Sequence, residues 1–419
     1  MKVVGLITEY NPFHNGHKYH IEQAKKLTGA DHVVVVMSGN FVQRGAPAIV
    51  DKYTRCEMAL NEGADLVFEL PVTYATASAE YFAMGAVKIL HSLSFIDTIC
   101  FGSECGDLTL LNEIASILVD EPILFKELLN AFIKQGESFP AARQHALTTY
   151  LLQTDASLTG KEKELTEVLA SPNNILGIEY LKALKQLNSP IKPYTITRIC
   201  SGYHESSLTG TISSASSIRQ HINSKVDYMD ALNVAMPASA YALLHEAMNK
   251  CAPVVEDDFS QFLYYKLLYT PTSELTDYLD INEDIAMRIQ NTKASFTTVH
   301  SYAEQLKTKN LTQTRINRIL FHLLLNIKKE YFKDDRASSS VYLRLLGMKK
   351  ESSFLIKSSK LETALPIITK LADAKDKLDQ DALLHLTTEI QASTLYNQVV
   401  SHKFNTTLKD EYRKGIVIR

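Results

Sequence analysis

Apolar residues fall into two kinds of run along this chain. Over the first two hundred residues short continuous stretches dominate: Val3 to Ile7, Asp31 to Met37, Asp65 to Leu70, Thr98 to Phe101 and Thr195 to Ile199. Their length and β-branching fit strands covered on both faces. Between them Lys18 to Leu27, Ala75 to Leu90, Asp107 to Leu152 and Ile175 to Leu187 carry apolar residues at helical spacing, with Asp107 as a cap, Pro122 at a helix start and Gly136 as a stop. Strands alternating with helices predict an α/β fold with a doubly wound, Rossmann-like parallel sheet. Beyond Asn223 the pattern becomes helical, over Val226 to Leu268, Leu275 to Ile289 and Leu311 to Phe332, the last with Ile316, Ile319, Leu320, Leu323, Leu324 and Ile327 at core spacing. The tail mixes strand-like pieces, Val341 to Leu346 and Ser353 to Ile356, with short helices. Three regions are therefore expected: an α/β domain over 1–222, a helical domain over 223–335 and a small α+β region over 336–419.

Composition changes this picture little. At 419 residues the chain exceeds one ordinary core, and 45% hydrophobic with 22% charged residues is usual for a soluble globular protein. The longest apolar run, Val33 to Met37, is far short of the ~20 residues of a membrane span. Lys2 alone precedes Glu9, so no signal peptide is expected, and the location expected is cytoplasmic. Five cysteines form no C-x-x-C pair, which argues for reduced thiols over zinc or disulfides. The net charge of −3 hides an asymmetry, because Gln305 to Lys360 holds 13 Lys and Arg against 4 Asp and Glu. A confined basic segment in a mildly acidic chain points to a local polyanion surface.

The chemistry concentrates at the first strand's end. There Thr8-Glu9-Tyr10-Asn11-Pro12-Phe13-His14-Asn15-Gly16-His17 turns the chain into a helix. Unpaired N–H groups and the positive end of the macrodipole favour an anion at such a place, and two imidazoles add donors for charge developing on a phosphate. A lone His-x-x-His is weak; this pair, behind a strand and around Asn-Pro and Gly, is stronger. Ser213, Ser214, Ser216 and Ser217 precede Arg219 in a second stretch, Ile212 to Arg219, where capping alone is one reading and phosphate binding the other. There is no P-loop, no G-x-G-x-x-G turn and no G-x-S-x-G elbow.

These residues carry a resemblance. His14-Asn15-Gly16-His17 resembles the HxGH signature of the nucleotidyltransferase superfamily, and Ile212 to Arg219 its I-S-S-x-x-I-R element. Glu9 to His17, Met37 to Gly45 and Ser171 to Asn174 are together similar to the bacterial tRNA(Met) cytidine acetate ligase family. That resemblance implies ATP-dependent activation of acetate as acetyl-adenylate, then transfer of the acetyl group to N4 of the wobble cytidine of elongator tRNA(Met). It implies catalysis by His14, His17 and Lys52. It implies ATP contacts from Ile7, Thr8, Glu9, Tyr10, Asn11, Pro12, Phe13, His14, Asn15, Gly16 and His17, and from Gly102, Asn173, Arg198, Ser214, Ser217 and Arg219. Ser38, Gln43 and Arg44 would meet phosphate or acetate, and Arg315, Arg318, Lys328, Lys329, Lys349 and Lys350 the tRNA. ATP is expected with Mg2+ carried on the nucleotide, since no protein metal-ligand cluster is legible. Two alternatives stay open on the residues alone: a small-molecule adenylyltransferase of the same superfamily, and a non-catalytic RNA-binding protein on this fold.

Overall fold

The computed structural model of the chain describes residues 1–198, 213–223, 229–309, 311–332, 340–359, 363 and 365–419. Strand β1 (Val3–Thr8) runs parallel between its neighbours, with Val3 opposite His32 and Thr8 opposite Met37 of β2 (His32–Ser38). Helix α1 (Asn15–Thr28) connects the two. A short antiparallel hairpin follows, β3 (Phe41–Val42) with β4 (Ala46–Pro47), then α2 (Lys52–Asn61) and β5 (Leu66–Leu70). The chain next crosses to the other side of β1 to form β6 (Thr98–Ser103) and β7 (Lys192–Thr197). The sheet order β5-β2-β1-β6-β7 thus reverses direction at β1, and the carboxyl ends of β1 and β6 flank the crevice where such sheets bind ligands.

Alternation along the strands explains the two faces. Val34, Val36, Leu66 and Phe68 pack with Val87, Leu90 and Leu181 of helices on one side, while Val33, Val35 and Val67 pack with Ile21 of α1 and Ala59 of α2 on the other. The expected α/β sheet is present, with boundaries moved by tertiary contacts: α1 begins at Asn15 because His14 caps it, and β7 begins at Lys192, paired with Thr98. A third core, built from Leu263, Ile289, Tyr302, Ile316 and Leu320, holds the helices between Ser260 and Leu324 together and takes in Phe41 and Val72 from the first half of the chain.

The tail behaves differently from the sequence expectation. Residues from 336 onward, expected to form a region of their own, supply three strands to the sheet: β8 (Leu343–Met348) antiparallel to β5, β9 (Ile367–Ile368) and β10 (Val417–Ile418), both parallel to β8. Ser353 to Ile356, expected as a strand, is instead the start of the helix Ser353–Ser359. An apolar run of four carries no period, so burial of Leu355 and Ile356 is compatible with either conformation, and the sheet edge beside β8 is already taken. The long helix Gln380–Phe404 returns to the first half of the chain, where Glu389 accepts the N–H of Val72 (2.8 Å) and Tyr396 donates to Ala48 O (2.8 Å).

The β3–β4 hairpin is docked onto the helix Gln313–Leu324 by its glycine. Gly45 has φ +69°, and a Cβ there would lie 2.2 Å from the backbone N of Arg318. Gly45→Ala should therefore push the hairpin off the helix and destabilise the protein by about 1–3 kcal/mol, read as a lowered thermal midpoint.

Candidate active site

At the end of β1 the chain passes through Tyr10 in the left-handed region (φ +48°) and turns into α1, placing the two histidines at the helix entrance. They cap the helix reciprocally. The Nδ1 of His14 accepts the N–H of Gly16 (3.0 Å), and the Nδ1 of His17 accepts the N–H of His14 (3.2 Å). The rings stack at 3.7 Å between centroids, with Tyr10 and Phe13 packed at 4.8 and 5.5 Å from His17. A nitrogen that accepts a backbone N–H carries no proton, so in the neutral ring the hydrogen sits on Nε2. Both imidazoles are thereby set as Nε2–H donors.

Their charge state follows from the surroundings. Burial, then the guanidinium groups of Arg198 and Arg219, lowers the pKa of His14 to about 3. Burial, then His14 and Arg198, holds His17 well below its ordinary value. His20, one turn further, is lowered to about 4 by burial and by Arg198, and its Nε2 is buried with no hydrogen-bond partner. Arg198 follows β7, anchored by its N–H to Ser103 O (3.0 Å). Its side chain lies across Gly102, where an added Cβ would come within 3.0 Å of it.

The second motif closes onto the first. Ser214 Oγ accepts the N–H of Ser217 (3.1 Å) at the start of the helix Ala215–Asn223, and Arg219 donates to Asn11 O (2.7 Å) and to Ser216 Oγ (3.1 Å). Ser217 Oγ is buried without a partner. Ile212, the first residue of that motif, and most of the preceding Ser/Thr/Gly-rich stretch lie outside the described residues. Asn173 is tied to the loop after β6, where the Glu104 carboxylate accepts its side-chain amide (2.6 Å) and its N–H (3.2 Å), together with the N–H of Asn174 (2.8 Å).

Other expected residues have structural duties. Lys52 is fully buried away from solvent: its ammonium meets Glu69 (2.6 Å), Ser393 (2.8 Å), Glu411 (3.1 Å) and Glu389 (3.2 Å). Arg344 completes this cluster through Glu69 (2.8 Å) and Glu411 (2.5 Å). A catalytic role expected for Lys52 therefore gives way to a structural one, since three carboxylates hold its charge. Ser38 is buried, Gln43 donates its N–H to Glu9 Oε1 (2.9 Å), and Arg44 is exposed at the hairpin tip.

The expected tRNA residues do not form one surface. Arg318 faces Asp280 (3.7 Å), Lys329 donates to Ile281 O (2.8 Å), and Arg315 lines an open cleft of about 340 Å³ with Asn282, Ile285, Arg288 and Leu311. Lys349 and Lys350 follow Met348, which pairs with the first residue of β5, so they flank the amino ends of the parallel strands, opposite the histidines.

Sequence reasoning missed Arg55. It is fully buried and donates to the carbonyls of Glu9 (2.6 Å), Ser38 (3.1 Å), Gly39 and Val50 (3.1 Å), tying the carboxyl ends of β1 and β2 together. A signal was present: behind the Asp51 cap, positions 52, 55, 56 and 59 fall at i, i+3, i+4 and i+7, the inward face of α2.

A doubly wound sheet with a histidine-capped helix at its switch point and two arginines converging there defines an HxGH-type nucleotidyl transferase. The comparisons agree. Residues 1–411 match the family HIGH Nucleotidyl Transferase. A protein of Acetivibrio thermocellus named tRNA(Met) cytidine acetate ligase is 40% identical over the full length of both chains, and one of the same name from Clostridium perfringens is 40% identical over 95% of each. The crystal structure of Thermotoga maritima TmcAL in its apo form superposes with a TM-score of 0.93 at 29% identity, covering 100% of this chain and 99% of that one. The same protein bound with alpha-thio ATP gives 0.91 at 30% identity, covering 100% of both. The chain belongs to the tRNA(Met) cytidine acetate ligase family within the HIGH nucleotidyl transferases.

Proposed function

We propose that this chain activates acetate with ATP and transfers the acetyl group to N4 of the wobble cytidine of elongator tRNA(Met), giving N4-acetylcytidine, AMP and pyrophosphate. The observation that carries the reading is the reciprocal His14/His17 cap, which presents two neutral Nε2–H donors beside Arg198 and Arg219 at the switch point. In the first step an acetate oxygen attacks the α-phosphorus and the bond to the β-phosphate oxygen breaks. Most of the work is positioning and charge stabilisation. The histidine donors meet charge building on the transferring phosphoryl group, Arg198 and Arg219 neutralise the phosphate chain, and ATP enters as its Mg2+ complex, the ion being part of the substrate. In the second step the cytidine amine attacks the acetyl carbonyl, AMP leaves with the bonding pair, and the amine proton is released. The backbone around Asn11 is kept in place by Arg219 and, through Glu9 and Ser38, by Arg55.

No helix among the described residues is long and apolar enough to cross a membrane, and we assign the protein to the cytoplasm with its tRNA. Full-length relatives named as ligases disfavour both alternatives. The test is acetate-dependent exchange of pyrophosphate into ATP, followed by acetylation of tRNA(Met). Exchange is expected with acetate and no tRNA; exchange only with a mononucleotide acceptor would instead assign a small-molecule adenylyltransferase.

A further inference from the structure

The helix Ser260–Tyr269 breaks the usual division of a surface helix into apolar and polar faces. Leu263 and Leu267, one turn apart, bury themselves in the helical core. The outward arc then carries Phe262 and Tyr264 (each 38% exposed), Leu268 (49%), Tyr265 (64%) and Tyr269 (72%). At 3.6 residues per turn these five cover roughly 160° of the helix, an arc that elsewhere would be charged. The rings of Tyr265 and Tyr269 lie 4.7 Å apart, and Tyr264 stacks on Phe296 at 5.4 Å. Contiguous exposed apolar surface of this kind marks a partner.

The neighbouring charge says what kind. Lys266 and Lys328 converge on the ring of Tyr278, at 5.3 and 6.0 Å from its centroid. Lys266 donates to the Asn326 side chain (2.7 Å), and among the described residues neither ammonium has a carboxylate within ion-pair distance. Lysine is depleted in the cores of protein interfaces, whereas flat rings beside unpaired cations suit nucleic acid, whose bases stack and whose phosphates require positive charge. Position agrees as well. The segment just before the helix is bonded to the nucleotide-binding half through the N–H of Val254 and Ile49 O (3.1 Å), and Glu256 lies close enough to Arg219 to raise its pKa against the burial that lowers it. From there to Tyr269 the helix rises about 14 Å.

We propose that the exposed aromatic face of the helix Ser260–Tyr269 stacks unpaired nucleotides of the RNA acceptor while Lys266 and Lys328 meet the adjoining phosphates. This rests on the tRNA-acetylating reading above and adds to it a surface that reads no base by hydrogen bonds.

The test uses the full chain and tRNA(Met). The double variant Tyr265→Ala/Tyr269→Ala should weaken tRNA binding about 10-fold or more, with acetate-dependent exchange unchanged. Tyr265→Phe/Tyr269→Phe, which keeps the rings, should bind like the wild type. Lys266→Gln/Lys328→Gln should flatten the slope of log affinity against log salt by about 1. Wild-type affinity in the double alanine variant, or equal losses in the alanine and phenylalanine variants, would overturn stacking. A fall in sedimenting mass with unchanged tRNA affinity would do so too, by assigning the face to a second copy of the chain. A wild type that binds no tRNA would sink the functional reading itself; a wild type that binds it while the alanine variant binds equally would sink only this one.

Discussion

His17→Ala should reduce acetate-dependent exchange of pyrophosphate into ATP by about 100- to 1000-fold while leaving tRNA affinity within about 2-fold of wild type. That size is typical for removing one preorganised donor from a developing oxyanion. The variant also loses the acceptor for the His14 N–H, so the helix entrance loosens. The pH profile separates the two contributions. With His14 lowered to about 3 and His17 held well below its ordinary value, both rings are already neutral throughout the range from about pH 5.5 to 8.5. The wild-type exchange rate should therefore not fall as the medium is acidified through the ordinary histidine value of about 6.5. A loss of activity centred there would mean that a charged imidazole is excluded only by titration, contrary to the donor assignment. Joint loss of tRNA binding in the variant would show that the nucleotide and tRNA sites are not separate.

The second large effect is expected at a residue that never meets substrate. Lys52→Met should destabilise the protein by about 3–5 kcal/mol, because it leaves Glu69, Glu389 and Glu411 sharing one remaining cation, Arg344, in a site without solvent. At a temperature where the variant is still folded, exchange should stay within a few-fold of wild type. Abolished exchange with an unchanged melting profile would restore a catalytic Lys52. Burial and Arg344 work to discharge this lysine, but Glu411, Glu69 and Glu389 outweigh them and hold it above its usual range.

The same cluster sets a pH dependence whose sign can be worked out. Burial and then Glu69 raise the pKa of Glu389 to about 7, against an ordinary value near 4.5. Between those values the folded protein holds a proton that the unfolded chain has released, so this group's contribution to stability falls as pH rises from about 4.5 to about 7. Glu411 runs the other way: burial raises it, but Lys52 and Arg344 win and bring it to about 2, so its contribution is present above about 4.5 and is lost as pH falls toward 2. Glu389→Gln, neutral and of the same shape, should remove the decline between about pH 4.5 and 7 in a series of melting curves. Persistence of the full decline in that variant would place its origin elsewhere.

Much of this was legible in the residues because it is local. A continuous β-branched run such as Val33 to Val36 has one stable use in a water-soluble fold, and a strand feeding a turn with His-x-x-His behind it places donors at a helix start whatever surrounds them. The sequence by itself therefore determined the alternating α/β half, the histidine pair and the second serine-arginine motif. The joining of the two motifs through Arg219 and Asn11, more than two hundred residues apart, was foreseen only as a shared site.

What the tertiary structure alone decided are partners distant in the chain. Lys52 and Arg55 share a helix face, and nothing local tells which carboxylates or carbonyls will meet them; Glu389 and Glu411 arrive from the far end of the sequence. The tail's strands had no available edge until β5 had formed one. Basic residues counted as one window were dispersed by topology, with Arg344 buried, Lys349 and Lys350 sent to the amino ends of the strands, and Lys328 left beside an aromatic face. Charge counts add along the chain, whereas fields act through space. The histidines at the end of β1 could be read early because their acceptors and donors lie within three residues of one another, while the lysine and arginines that shape the scaffold around them took their roles from contacts that only folding brings together.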